Sequence, residues 1–394
     1  MTIRIVFVDD EPRVLDGLRL GLRSKRKVWD MSFVEGGKGA IEQLEAFRVD
    51  VVVSDMRMPG MDGAELLGRV AVLRPEAVRI ILSGQMDESA AVRAASVAHR
   101  FLTKPCDSRT LEATITQAIE LHQWLGSDRL RSCVGSLETL PSLPQAYLAL
   151  NRALADAEVS VGAVARIIED DPGMAAKVLQ LVNSSFFGLS RSMVNVGQAV
   201  SYLGIGTMKS LVLAESLFHK FGSADPTRVE REKERSLLRA RVARKLFDDP
   251  LRADAAATAA LLLDVGSLAL LSRMPADHAV NLTVAAERRI PVHEVERERL
   301  GVTHAEVGAY LLGLWGLPHE IIDAVARHHD PWRDGEGLDT GTAVRVANVL
   351  TSELLMQNGV LPGAALPEGL LRRFGIATVI ERMRSEIPAS LQRG

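Results

Sequence analysis

The chain has 394 residues, 47% of them apolar and 25% charged, with a formal net charge of −3. That length suits two or three domains, each able to bury a core of its own. A charge balance so near neutral supplies no bulk positive field for nucleic acid or an anionic membrane, and 4% aromatic residues offer few stacking platforms for single strands.

From Met1 to about His122, short apolar runs alternate with helical patterns. The runs are Ile3–Val8, Trp29–Val34, Val51–Ser54, Val78–Leu82 and Arg100–Thr103. Between them, helical spacing appears near Val14–Leu22, Ala40–Phe47, Ala64–Leu73, Ala90–Val97 and Leu111–Leu121. This alternation predicts a doubly wound α/β domain with a five-stranded parallel sheet. Continuous Val/Ile runs suit strands covered on both faces, and such sheets place their sites beyond the carboxyl ends of the strands.

After Leu121 the strand signal stops. Residues 123–139 read as a helical extension and linker, and from 140 onward the pattern is helical throughout, with a polar helical tail over 356–394. Helix punctuation recurs at Asp171-Pro172-Gly173, Gly204-Ile205-Gly206, Asp225-Pro226, Asp249-Pro250, Gly316-Leu317-Pro318 and Asp330-Pro331. The second half is therefore expected to be all-α. The mixed charges of Arg231-Glu232-Lys233-Glu234-Arg235 read as a solvated helix face. The chain starts without the basic and long apolar regions of a signal peptide, no stretch approaches the ~20 apolar residues of a membrane span, and Cys106 and Cys133 form no metal or redox motif. A cytoplasmic protein without membrane contact is expected.

The predicted strand ends carry the chemistry. Asp9 and Asp10 follow the first strand, Asp55 the third, Ser83 the fourth and Lys104 the fifth. Clustered carboxylates repel unless a cation sits among them, and Mg²⁺ suits hard oxygen ligands together with phosphate oxygens. A carboxylate beside Mg²⁺ can take up a phosphoryl group as an acyl phosphate, with positioning and charge neutralisation supplying most of the catalysis. Lys104 supplies a positive charge and Ser83 a hydroxyl donor. Each motif alone is a solvated turn more often than a site; four in register at successive strand ends are hard to reach by chance.

Residues 1–122 resemble the receiver domain of two-component response regulators. The resemblance rests on Val8-Asp9-Asp10-Glu11-Pro12, Ser54-Asp55-Met56-Arg57-Met58-Pro59-Gly60-Met61-Asp62-Gly63, Leu82-Ser83-Gly84 and Leu102-Thr103-Lys104-Pro105. It implies Asp55 as phosphoacceptor. Mg²⁺ would be held by Asp10, by Asp9 through water, by Asp55 and by the backbone carbonyl of Arg57. Ser83 and Lys104 would contact the phosphoryl oxygens, and Phe101 would occupy the aromatic switch position. The implied donor is a sensor histidine kinase or a phosphotransfer protein.

The helical half holds Asp264, His304 and the run His328-His329-Asp330. Helical His/Asp constellations can hold metal and hydrolyse phosphodiesters, and they can equally be hydrogen-bonded structural groups. Residues 140–355 resemble an HDOD domain, the degenerate relative of HD-type metal phosphohydrolases. The supporting motifs are Leu140-Pro141-Ser142-Leu143-Pro144, Ile168-Glu169-Asp170-Asp171-Pro172, Leu179 to Gly188, Ala199 to Gly204, and Thr303 to Trp332. In the catalytic relatives a His precedes the retained Asp; here Leu263 precedes Asp264. Ser267 stands for a Lys, Ala240 and its neighbours supply no His, and Asn348 stands for an Asp. The resemblance therefore implies a dinuclear site without its ligands, with Asp264 and His304 kept as hydrogen-bonding groups.

The expected function is a phosphorylation-controlled response regulator whose HDOD domain signals by protein–protein contact, with homodimerisation left open. The competing readings are a cyclic-dinucleotide phosphodiesterase or binder using a residual HD-type site, and a DNA-binding output. The latter rests on helix–turn–helix-like spacing over 303–328 in a segment with few basic residues. Phe186-Phe187 stands out as a partner-binding or buried pair.

Overall fold

A computed structural model describes residues 3–84, 94, 97–124, 149–150, 153–154, 158–183, 192–213, 226–332, 337–355 and 366–391. Most of the predicted helix over 90–97, the linker after Trp124, the motif at 140–144 and the Phe186-Phe187 pair lie outside the described residues.

The first half alternates as its hydrophobic pattern requires: β1 (Ile3–Asp9), α1 (Pro12–Gly21), β2 (Trp29–Glu35), α2 (Gly36–Ala46), β3 (Val51–Asp55), α3 (Gly63–Leu73), β4 (Val78–Ser83), β5 (Arg100–Thr103) and α4 (Ser108–Trp124). The sheet has the order β2-β1-β3-β4-β5, with every pairing parallel. β3 and β4 are buried along their whole length, which explains their unbroken apolar runs. Because the strands are parallel, all carboxyl ends share one edge. Asp55 lies level with Leu82, and Ser83 with Thr103. Asp9, Asp55, Ser83 and Lys104 are thereby delivered to one rim.

The described residues of the second half are helical: α5 (Val161–Glu169), α6 (Pro172–Val182), α7 (Val196–Leu213), α8 (Pro226–Arg244), α9 (Pro250–Leu261), α10 (Val265–Arg273), α11 (Pro275–Arg288), α12 (Val292–Leu300), α13 (His304–Leu314), α14 (His319–Ala326), α15 (Thr340–Leu355), α16 (Glu368–Arg373) and α17 (Ala377–Leu391). The punctuation works as its chemistry predicts. Asp249 caps α9 by accepting from Arg252 N at 3.1 Å ahead of Pro250, and Asp171 accepts from Met174 N at 2.9 Å ahead of Pro172. Gly204 interrupts α7 at φ 77° and ψ 163°, a kink that glycine adopts without a Cβ penalty.

The Ala-rich α9, buried from Ala253 to Leu261, packs against α8 and α15. Contrary to the expectation from sequence, the stretch Pro250–Arg273 is by length and composition apolar enough to cross a membrane; 83% of its 18-residue apolar window is buried inside the protein, as a core helix pair would be. The carboxyl-terminal α17 lies along α15, where Arg384 reaches Glu353 at 2.8 Å. Helix α13, carrying His304, is buried through all but one of its residues, Glu306 being the exception. It touches α10, α14 and, from the first half of the chain, α4.

Candidate functional site

The strand-end residues converge. Lys104 Nζ donates to Asp9 Oδ2 at 2.6 Å and also pairs with Asp55 Oδ1. Asp9 and Asp55 are both buried, while Asp10 is exposed at the rim. The other oxygens of the two buried carboxylates are held by backbone. Asp55 Oδ2 accepts from Arg57 N at 2.6 Å, and Asp9 Oδ1 accepts from Glu11 N at 3.0 Å. Burial disfavours the Lys104 ammonium, but hydrogen bonds and charge attraction from Asp55 and Asp9 outweigh it and raise its pKa. The Ser83 hydroxyl is buried with no hydrogen-bond partner among the described residues. Gly63 is required by space: a Cβ there would stand 2.2 Å from the Asp55 carbonyl oxygen. Asp62, capping α3 at 2.8 Å from Glu65 N, fixes the loop between them. Phe101 lies on β5 level with Ile81; its side chain falls outside the described residues.

A second cluster forms in the helical half, from residues far apart in sequence. His304 Nε2 lies 2.9 Å from His329 Nε2 and 3.4 Å from Asp264 Oδ1. His328 Nε2 lies 3.7 Å from the same Asp264 oxygen. Three neighbours were not legible as site residues. Glu296 accepts from His304 Nδ1 at 2.6 Å and from His304 N at 2.8 Å. His293 stacks on His329 with ring centroids 3.8 Å apart. Arg239 is fully buried and meets Asp264 Oδ2 at 2.6 Å and Glu232 at 3.5 Å. The charge-rich face around Glu232 is thus not wholly solvated. Part of it turns inward because Arg239, on the same helix, compensates a buried aspartate. The i,i+4 spacing reported mixed charge; only the packing of α8 decided which charges are inside.

Asp330 lies in the turn after α14, its carbonyl accepting from Arg345 at 3.3 Å. Asn348 sits on α15, where its carbonyl accepts from Ser352 Oγ at 2.9 Å.

Burial lowers the His304 imidazole, yet Glu296 and Asp264 more than offset it and hold its pKa up to about 10. Burial pushes His328 down to about 3, and His329 well below its ordinary range. Asp264 resists burial through Arg239 and His304 and stays well below the usual carboxylate range. A raised histidine contributes stability that is complete below its unfolded value near 6.5 and is lost as pH rises through about 10. The thermal midpoint should therefore fall between those pH values, and His304→Gln should flatten that fall. An unchanged slope would place the titration elsewhere.

The two domains meet at the far end of α13 from His304. Arg100 of β5 donates through Nη2 to the Gly313 carbonyl of α13 at 2.6 Å and to Gln117 of α4 at 3.1 Å. Gly316, at φ 77°, leaves room for this guanidinium: a Cβ there would approach Arg100 Nη1 to 3.0 Å.

The family model of the response regulator receiver domain matches residues 5–116, and that of the HDOD domain matches residues 140–331. The chain is 27% identical over 250 residues to an uncharacterised protein of Treponema pallidum (strain Nichols), covering 62% of this chain and 48% of that one. It is 31% identical over 159 residues to the transcriptional regulatory protein GlrR of Escherichia coli (strain K12), covering 40% and 34% respectively. The chain thus spans about half or less of these curated relatives. The MmoQ response regulator of Methylococcus capsulatus shares the fold, with a TM-score of 0.51 and 24% identity over 63% of this chain and 98% of that one. The protein is a two-component response regulator, in which a receiver domain is followed by an HDOD domain.

Proposed function

We propose that Asp55 accepts a phosphoryl group from a histidine kinase or phosphotransfer protein in the cytoplasm, and that the HDOD domain passes on this state by contact rather than hydrolysis. The observation that carries this reading is the single Lys104 ammonium bridging the buried Asp9 and Asp55. Two buried carboxylates sharing one ammonium form an oxygen donor set with negative charge to spare, which fits Mg²⁺. Asp10, Asp9, Asp55 and the Arg57 carbonyl would hold that ion, and it would neutralise phosphoryl oxygens.

Asp55 Oδ1 attacks phosphorus as the donor's phosphorus–nitrogen bond breaks, and the donor histidine leaves with the electron pair. Lys104 moves its hydrogen bond from the Asp55 carboxylate to a phosphoryl oxygen. The unpartnered Ser83 hydroxyl donates to another, which lifts the cost of about 1–3 kcal/mol that a buried hydroxyl without a partner carries. Ser83 pairs in register with Thr103 of β5, the strand that also carries Phe101 and Arg100. A change at Ser83 is then one strand away from the Arg100 contact with α13, the route proposed for output. The helix that would enter a groove in such a spacing is the second, α14, and its outward positions carry Glu320 and Asp323, whose charge repels phosphate and so supports this reading over DNA binding.

Asp55→Asn tests the reading. Labelling from a small-molecule phosphodonor with Mg²⁺ should vanish, while the fold persists. Labelling at the wild-type level would refute the assignment. A second reading, hydrolysis of a cyclic dinucleotide, would be favoured by turnover that survives Asp55→Asn.

A further inference from the structure

The receiver sheet leaves one edge open. In the order β2-β1-β3-β4-β5, β5 meets the helical domain through Arg100, and β2 stands at the opposite edge. All seven residues of β2 pair with β1 without a bulge. Among the described residues, no backbone hydrogen bond reaches the outer side of β2. Such an edge is a template for another strand, and proteins usually blunt one with proline, a bulge or an inward lysine. Trp29-Asp30-Met31-Ser32-Phe33-Val34-Glu35 carries none of these.

Charge is divided between the two ends of this strand. Between Pro12 and Trp29, six cations stand against one acid, Asp16, in a chain whose net charge is −3. Asp16 is taken by Arg19 at 2.9 Å, and Lys25 meets Glu112 at 2.8 Å. Arg23, Arg26 and Lys27 are exposed and meet no carboxylate among the described residues. At the other end Glu35 is exposed, and its side chain caps nothing. Between the ends, an open cleft of about 490 Å³ is lined by Arg19, Arg26, Trp29, Met31 and Phe33.

We propose that this edge binds a second copy of the chain, β2 against β2 in antiparallel register about Ser32. A two-fold axis there sets Trp29 opposite Glu35 of the second copy, and Met31 opposite its Phe33. Opposed residues of antiparallel strands share a face, so the apolar rows of the two clefts meet. The acidic end of each strand then lies against the basic turn of the other, which matches charge across the contact. A parallel pairing would set basic turn against basic turn. A partner strand without an acid at this place would leave Arg26 and Lys27 unmatched.

Pairing also brings cations to the carboxylate rim. Glu35 is level with Asp9. Two strand spacings, about 10 Å, separate the Arg26-Lys27 turn of the second copy from the Asp9 end of β1. Asp55 is one strand further in, a gap that the long Arg26 and Lys27 side chains offset. The charges therefore interact across about one Debye length. A phosphoryl group on Asp55 adds roughly −1.5 to −2 charges to the rim and tightens the pair. That tightening rests on the phosphoryl acceptance proposed above; the pairing itself does not. One strand edge is small beside the ~800 Å² per partner of a stable complex, so the dimer is weak enough for one charge event to shift it.

Sedimentation of the full chain tests the pairing without any phosphodonor. The expected result is a reversible monomer–dimer equilibrium that weakens as salt rises. Arg26→Glu alone and Glu35→Lys alone should each stay monomeric where wild type is half dimeric, because the two-fold axis repeats each like-charge contact. An equimolar mixture of the two variants should form the dimer again, since each charge then meets its opposite. Both positions are exposed, so circular dichroism should be unchanged. A wild-type chain that is monomeric at millimolar concentration, a dimer indifferent to Arg26→Glu, or a mixture no more associated than either variant would each overturn the proposal. With a small-molecule phosphodonor and Mg²⁺, wild-type association should tighten about 5-fold or more, and Asp55→Asn should not respond. Labelling of Asp55 is scored separately by intact mass. Pairing without labelling would sink the function proposed above and leave the edge contact standing. Labelling without tightening would overturn the contact with the rim.

Discussion

Replacing Gly266 by alanine should strongly destabilise the helical domain. The first residues of α10 lie directly on α13, and a Cβ at Gly266 would stand 1.9 Å from the His304 carbonyl oxygen and 2.5 Å from Gly308 N. Both obstacles are backbone, so no rotamer change relieves the overlap. One helix must move, and with it His304. The expected cost is about 4 kcal/mol or more, at the extreme end of single substitutions. In a domain of this size that lowers the thermal midpoint by roughly 10 °C, read by helical circular dichroism. Two other glycines calibrate the result. Gly308→Ala meets its nearest atoms at 3.1 to 3.3 Å and should cost about 1–3 kcal/mol. Gly162→Ala meets nothing within 4 Å and should be neutral or slightly stabilising. An equal effect at all three positions would refute the close helix crossing.

Arg100→Ala should separate the receiver from α13 while leaving phosphoryl uptake intact. The guanidinium is lowered to about 10 by burial, so it keeps its charge at neutral pH. Its hydrogen bond to Gly313 is charge-assisted. Removing it strands a carbonyl at the interface and costs about 1–3 kcal/mol of contact, a change of roughly 5- to 150-fold. Amide exchange across residues 304–314 should quicken by about that factor. In the wild-type chain, exchange in the same segment should also respond to a small-molecule phosphodonor; in Arg100→Ala the response should be lost. A wild-type α13 indifferent to the state of Asp55 would remove Arg100 from the output route.

The receiver site was nearly all legible. Asp9, Asp55 and Ser83 each end a strand and Lys104 follows one, and a parallel sheet brings strand ends together by construction. Five apolar runs alternating with helical ones leave few other arrangements. Helix starts in the second half were legible for the same local reason: Asp171-Pro172 and Asp249-Pro250 carry their capping chemistry within a few residues. The helical cluster was only half legible. Asp264, His304, His328 and His329 stood out by type, but nothing near them in sequence shows that the Nε2 atoms of His304 and His328 share one carboxylate or that His329 meets His304. Glu296 and Arg239 looked like ordinary helix-surface charges, and His293 carried no motif.

What the sequence determined by itself is what short-range periodicity and turn chemistry control: the strand–helix alternation, the carboxylate rim around Asp55, and the change to an all-helical second half. Only the tertiary structure decided which charges on α8 turn inward, which imidazoles converge, and that Arg100 reaches across to Gly313. The physical reason is range. A strand end or a helix cap is fixed by neighbours a few residues away. The contact between Arg100 and Gly313 spans 213 residues, and it depends on how two separately folded surfaces meet.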